Sequence, residues 1–355
     1  MESISSLYVK YQDQTVLTKS KEFAKYTIPS LMVDPTQRHT SAEVLDYDYQ
    51  SIGALYVNNL TAKLVMALFP SGRSSFQISL TEELKALLEA EYGDDALLIK
   101  ASTAELERLA TEQTFKNAAL SKLFRVVKLL IVTGQCLVYR DSTLQTYYVW
   151  NLNNYVTRRD MSGRVTRGIL KQVIPAQELP QSILDDLQKQ QYGVKADTIV
   201  TQYTDIRYEL TPSGRRAVVQ NYINDKPVGA EASYPEHLCP YVFPAWDVPS
   251  GEHYARGYVE EYAGDFARLS LLSTDVSLYE GEILHLLNLV DEAGGSAIDD
   301  VTDKPTGSYV PGRAESITSF EKGDYNKLNT AYNGLESVSQ RLAMAFMYTG
   351  SMRQA

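Results

Sequence analysis

Cysteine is nearly missing from this 355-residue chain. Cys136 and Cys239 are the only two, too few and too far apart for a disulfide framework, so a reducing cytoplasm is the expected setting. Histidine is almost as scarce: His39, His237, His253 and His285 are scattered, and no two have metal-ligand spacing. No Cys-x-x-Cys, P-loop, Gly-x-Gly-x-x-Gly or Gly-x-Ser-x-Gly occurs, which removes the metal-knuckle, phosphate-cradling, dinucleotide and nucleophile-elbow chemistries. The most apolar run, Val126 to Val132, is broken by Lys128 and is far short of the roughly 18 residues that a membrane span needs. The N-terminal MESISSLYVKYQDQ lacks the charged and apolar regions of a signal peptide. No membrane, cofactor, metal or catalytic residue is expected. Asp46 and Asp48 make a bare Asp-x-Asp that a divalent metal could use, but acids at a helix N-terminus explain it more plainly.

Positive charge is thin in one place above all. The net charge is −10, and between Gly257 and Asp300 stand ten Asp/Glu against a single basic residue, Arg268. A protein that grips phosphates carries a basic footprint instead. The densest basic patch is Arg158, Arg159, Arg164, Arg167 and Lys171, on a predicted hairpin over 155–174, where a solvated strand face is the plainer reading. Tyrosine is over-supplied, 25 against nine Phe. Its amphipathic ring suits interfaces, although half-buried strand positions account for most.

What is present divides by period. Residues 1–133 read as helical, with one helix over Asp46 to Leu68, another opening at Thr81, and one or two over Ser102 to Val132. From Gln135 the pattern turns to strands: CLVYR, TYYVWNL, the 155–174 hairpin, and a second hairpin pairing Thr198–Leu210 with Arg215–Ile223, with a short helix over Ala176 to Gln191 between the hairpins and CPYVFPAW closing the region. Then Tyr258, Tyr262, Phe266, Leu269, Leu272, Val276, Tyr279, Ile283, Leu287 and Val290 recur every three or four residues, which predicts one helix over 257–292, roughly 50 Å long. A loop-rich unit over 293–325 follows, with strands near Ser308–Val310 and Ile317–Phe320, and a last helix over 326–347.

On a helical wheel the 257–292 segment is not clean. Glu260, Thr274, Glu282, His285, Asn288 and Glu292 lie opposite the main apolar stripe, but so do Leu271, Leu278 and Leu289, while Asp265 and Glu280 sit on or near that stripe. Neighbours on two sides and water on a third would give such a mixture. An antiparallel helix pair that packs again against copies of itself fits, as does a plain helical hairpin in a monomer core.

The blocks KYTIPSLM (25–32), YQSIGALYVNNLTAKLVMALFP (49–70), CPYVFPAWDVPSGEHYARGYVEEYAGDFARLS (239–270) and RLAMAFM (341–347) resemble, in order, the portal or head-to-tail connector protein of short-tailed, podovirus-type bacteriophages. The resemblance implies an α+β, mainly helical portal architecture: a wing over 1–256 (helical to 133, β-rich over 134–256), a first stem helix over 257–292, a small α/β clip over 293–325, a second stem helix over 326–347, and over 348–355 the start of a channel loop, with the crown region absent. It further implies a dodecameric ring at a capsid vertex of the virion, assembled in the bacterial cytoplasm. Double-stranded DNA would pass through without sequence specificity, and terminase, tail adaptor, capsid and scaffolding proteins would be the partners.

On this reading Glu260, Thr274, Glu282, His285, Asn288 and Glu292 are candidates to face the channel, where acid centres DNA without holding it. Arg256, Tyr258, Asp265, Arg268 and Arg341 are candidates for the subunit interface, with Asp265 paired to an arginine across subunits. Asp299, Asp300, Asp303, Lys304 and Tyr309 are candidates for docking terminase and tail adaptor in the clip. Two other readings stand beside it: a truncated, non-ring interaction module, and a metal-dependent enzyme using Asp46 and Asp48.

Overall fold

The computed structural model describes residues 2–34, 45–70, 74, 76–92, 96–114, 119–179, 198–212, 214–283, 287–290, 317–320 and 325–348. The chain divides into two compact units, one made of 1–47, 51–263 and 345–355, the other of 48–50 and 264–344.

The larger unit opens with two helices set by their caps. In α1 (Ile4–Tyr11) the Ser6 amide donates to Ser3 Oγ, and in α2 (Gln14–Tyr26) the Asp13 carboxylate accepts from the Thr15 and Val16 amides at 2.9 and 3.1 Å. Then come α3 (Ile52–Leu68), α4 (Glu82–Tyr92), α5 (Ala96–Thr114) and α6 (Ala119–Thr133). Helix α3 starts six residues later than the sequence predicts, because its apolar period begins only at Ile52. Helix α6 buries Val126, Val127, Leu129, Ile131 and Val132, which explains why its run is so apolar without being a membrane span. It ends at Gly134, whose φ of +82° only glycine adopts freely. The Gly134 amide donates to the Leu129 and Leu130 carbonyls, both at 3.1 Å.

The β-rich part holds two antiparallel sheets. Strands β1 (Leu137–Asp141), β2 (Thr146–Trp150) and β8 (Tyr241–Val242) pair in the order β2-β1-β8. Strands β3 (Tyr155–Arg159), β4 (Val165–Pro175), β5 (Ile199–Thr211), β6 (Gly214–Ile223) and β7 (Lys226–Pro235) form a five-stranded meander in sequence order. Strand β7 is absent from the sequence reading, since Pro227 and Gly229 mask its pattern. The signal was the Asn224-Asp225 pair, both at positive φ (52° and 61°) as a tight hairpin turn requires. Of the predicted Ala176–Gln191 helix, a 3₁₀ turn at Ala176–Glu178 is present and the remainder lies outside the described residues.

Helix α1 lies on one face of the meander, where Ile4 and Tyr8 pack on Val156 and Ile169. On that face Arg158, Arg167 and Arg207 stand in cross-strand register. Arg167 grips the fully buried Asp205 with two bonds, 2.7 and 2.8 Å, and Arg207 reaches Glu231 at 2.8 Å. Arg158 lies over the Tyr11 ring, 4.5 Å from its centroid. Arg158 and Arg167 of the basic patch are thus engaged by internal partners. On the opposite face Ile206, Ala217 and Val219 pack with Cys239, and Gly168 leaves the space that the Phe243 ring occupies.

The smaller unit is a helical hairpin. Helix α8 (Ala263–Ile283), strands β9 (Leu287–Val290) and β10 (Ile317–Phe320), and helix α9 (Tyr325–Ala345) follow one another. A short helix, α7 (Tyr258–Glu261), precedes α8 and belongs to the larger unit. The single helix predicted over 257–292 is therefore corrected at both ends. At Tyr262 (φ −109°, ψ 16°) the amide reaches back three residues to Val259 O at 3.1 Å, which separates α7 from α8. Beyond Ile283, residues 287–290 are a strand paired antiparallel with 317–320. The apolar spacing hid both changes: Tyr258, Tyr262 and Phe266 keep a four-residue step through the break, and the four-residue run LNLV reads equally as a strand. The predicted Ile317–Phe320 strand is present; that at Ser308–Val310 lies outside the described residues.

Candidate functional site

The two helices of the hairpin run antiparallel, as three cross-contacts show. Arg341 Nη2, near the end of α9, donates to Asp265 Oδ1, near the start of α8, at 2.5 Å. A Cβ on Gly334 would just touch Leu272, at 3.7 Å. Further along, the Tyr332 hydroxyl donates to Glu280. Within the same unit Ser270 donates to Asp48 Oδ1 at 2.8 Å, whereas Asp46 takes Lys25 in the larger unit at 2.7 Å. The Asp-x-Asp residues thus serve separate partners rather than converging.

Helix α8 buries Phe266, Leu269, Ser273 and Val276, a three-four-three spacing that makes one stripe. A second stripe of the same spacing, Arg268, Leu271, Asp275 and Leu278, is exposed, with Leu271 at 62% and Leu278 at 59%. Two leucines in water on a helix that already has its apolar face covered are the oddity of this unit.

The candidates for the channel do not share one helix. Glu260 stands on α7, in the larger unit, beside Lys19 at 3.8 Å and Arg256 at 3.7 Å. Thr274 is on α8, and its hydroxyl donates to the Ser270 carbonyl of its own helix. Glu282 is on the last turn of α8 and Asn288 is on β9, opposite Ser319; their side chains, like His285 and Glu292 altogether, lie outside the described residues. The break at Tyr262 and the strand at 287–290 are why a single wheel could not hold them.

Among the candidates for the interface, four have partners within the chain. Arg256 bonds Glu252 at 2.7 Å, and these acids hold its guanidinium pKa above the ordinary arginine value. Tyr258 donates to Ala345 O at 3.0 Å and meets Tyr262 and Phe346 edge-on, each 5.2 Å between ring centroids; desolvation first and Tyr262 second push its phenol up to about 12. Asp265 and Arg341 pair with each other inside one chain, because antiparallel packing brings position 265 level with 341. Arg268 is exposed on α8. Asp299, Asp300, Asp303, Lys304 and Tyr309 lie outside the described residues.

One joint escaped the sequence reading. Gly134 and Gly257 cross backbone to backbone, so that a Cβ on Gly134 would fall 2.6 Å from Gly257 N and one on Gly257 would fall 2.8 Å from Gly134 N. This crossing sets the end of α6 against the start of α7. Only the glycine at each position was visible in the sequence, not their meeting.

Comparison with known proteins gives a consistent picture. The sequence model of the family described as "Bacteriophage head to tail connecting protein" matches residues 3–354. The portal protein of Pseudomonas phage phiKMV is 43% identical over 350 residues, covering 98% of this chain and 68% of that protein. The portal proteins of Escherichia phage T7 and Enterobacteria phage SP6 are each 28% identical, covering 95% and 93% of this chain and 63% of their own lengths. The chain thus spans about two thirds of the relatives it matches. A solved structure, the neck of a native GTA particle computed with C12 symmetry, covers 82% of this chain and 76% of its own at 11% identity, with a TM-score of 0.34, too low to establish a shared fold.

Proposed function

Because the chain belongs to the bacteriophage head-to-tail connecting proteins, we propose that it is the portal subunit that closes, in twelve copies, into a ring around a DNA conduit at the capsid vertex. In this reading the larger unit is the wing, α8 and α9 are the stem helices, and the residues between them are the clip, which would meet terminase during packaging and the tail adaptor afterwards. Capsid and scaffolding proteins would be further partners, assembly would take place in the host cytoplasm, and no catalytic step is assigned to the chain.

The observation that carries the proposal is the charge of the smaller unit. Residues 48–50 and 264–344 hold 14 Asp/Glu against six Lys/Arg, a net −8 within the chain's −10. Each cation that neutralises a phosphate adds salt-dependent grip through counterion release. A conduit through which DNA must slide is better built from a surface that declines such contacts. Thr274 and Glu282, both on α8, are the positions we assign to the bore, and we keep Asn288, His285 and Glu292 as proposals for it; Glu260, held by Lys19 and Arg256, is assigned to the wing. The exposed Leu271 and Leu278 supply the second packing face that a neighbouring copy would cover.

Two measurements test this. Mass in solution should exceed the 39.8 kDa chain about twelvefold; a single-chain mass under assembly conditions would favour the non-ring module instead. In a packaging assay, Glu282→Lys with Thr274→Lys should slow DNA passage, and more at low salt than at high salt. Equal packaging at both salts would remove α8 from the bore.

A further inference from the structure

Helices α4 and α5 pack on each other within the larger unit. None of the described side chains of either helix is buried, although the segment has enough leucine to build an interior. Leu84, Leu87, Leu106 and Leu109 are exposed, Leu87 at 65% and Leu106 at 57%. Each pair is three residues apart, so each makes one face of its helix. Phe76 and Ile78, just before α4, are exposed too, and the Ile78 amide donates to Glu107 of α5 at 2.7 Å, which places Ile78 beside that helix. An apolar face of this kind in water marks a binding surface.

Charge selects the occupant. Residues 82–114 hold nine Asp/Glu against three Lys/Arg, a net −6. Of the three cations, Arg108 is already engaged by Glu105 and Glu112 on its own helix. A second copy meeting it through the same face would bring the same net −6 against itself. A nucleic acid or an anionic membrane would bring phosphates against carboxylates. Each of these meets like-charge repulsion within a Debye length of about 8 Å. A cationic helix with leucines down one side meets the opposite: apolar contact along the stripe and favourable charge around its rim. We propose that the α4–α5 hairpin is a docking surface for a basic amphipathic helical segment of a partner protein. The leucines seat its apolar stripe as in helix-in-groove recognition, and the flanking glutamates Glu82, Glu83, Glu105 and Glu112 set its sign and speed its encounter. This inference does not depend on the ring, since it uses residues of the larger unit and none of α8 or α9.

The test uses the full chain and a probe peptide of roughly 18 residues, long enough to be helical when bound, made of Leu, Lys and Ala with leucine at every third or fourth position. A scrambled peptide of the same composition and a Leu/Glu/Ala peptide with the same leucine spacing serve as controls. Titration should show the basic amphipathic peptide binding at least about tenfold more tightly than the scrambled one, and no binding of the acidic one. Leu87→Ser with Leu106→Ser should weaken that binding by about tenfold, and Glu82→Lys with Glu83→Lys should weaken it and flatten its salt dependence. All four side chains are exposed, so both variants should keep the parent circular-dichroism spectrum and melting temperature. Equal binding of ordered and scrambled peptides would reduce the effect to bulk charge and overturn the proposal. So would binding that ignores the leucine substitutions, or a self-association of the parent chain that those substitutions abolish, which would make a second copy the occupant.

Discussion

The two units solve the same problem of charge in opposite ways. In the larger unit acid and base nearly cancel, at a net −2, and the arginines are woven into the meander: Arg167 onto Asp205, Arg207 onto Glu231, Arg215 onto Glu236 at 2.6 Å. The smaller unit has fewer than half as many cations as acids, and among its described residues the ion pair is Arg341 with Asp265. Charge in the first unit is consumed in fixing the fold. In the second the acids outnumber the cations that could neutralise them, which suits the conduit surface proposed above.

Substitutions can break this contrast, and their sizes should separate the units. The largest effect is expected at the glycine crossing. Gly134→Val puts a branched side chain at a φ of +82° and against the backbone at 256–257, so the denaturant midpoint should fall by the equivalent of about 4 kcal/mol, or no folded protein should accumulate. Next is Asp205→Ala, which strands Arg167 beside a buried site. Breaking such a pair costs roughly 3–5 kcal/mol when both partners are buried; with a quarter of the Arg167 side chain exposed, a loss nearer about 3 kcal/mol is expected by chemical denaturation. In the smaller unit, Arg341→Ala removes a solvent-exposed pair, and because water screens such pairs thermal unfolding should register only a small loss, well below that at Asp205. A loss there as large as that at Asp205 would erase the distinction.

The smallest effect concerns pH. His253 is held below its ordinary value by burial, and next by the Arg158 guanidinium. Its depressed folded value means that the unfolded chain takes the proton first. Its contribution is therefore complete above about pH 6.5 and declines as pH falls below that towards the folded value. Between about pH 7 and 5, His253→Gln should lose less stability than the parent chain does, as measured by parallel denaturation curves; identical pH dependence would show the histidine to be a bystander.

Local pattern carried most of this architecture. The caps at Ser3 and Asp13, the apolar run of α6, its stop at Gly134 and the alternating strands of the 155–174 hairpin all follow from short-range chemistry. The misses share a cause too. Tyr262 breaks a helix without breaking its apolar period. Strand β7 hides behind a proline and a glycine that only its place at the sheet edge makes tolerable. At the candidate site the sequence identified the acidic helix and the antiparallel pair, but not that Asp265 would find Arg341 in its own chain, because pairing across a hairpin depends on how far each helix runs before it turns.

The glycine crossing has a consequence for how the molecule comes into being. Gly134 and Gly257 stand 123 positions apart, so the end of α6 must wait on the ribosome until the whole β-rich segment has been made. Closing a free loop of that length would cost about 4 kcal/mol in chain entropy. The meander between them is built wholly from strands adjacent in sequence, so it can assemble as it emerges and shorten the gap before the two backbones meet. Slowing translation within residues 155–235 should therefore be tolerated, whereas permuting the strand order should leave α6 and α7 apart.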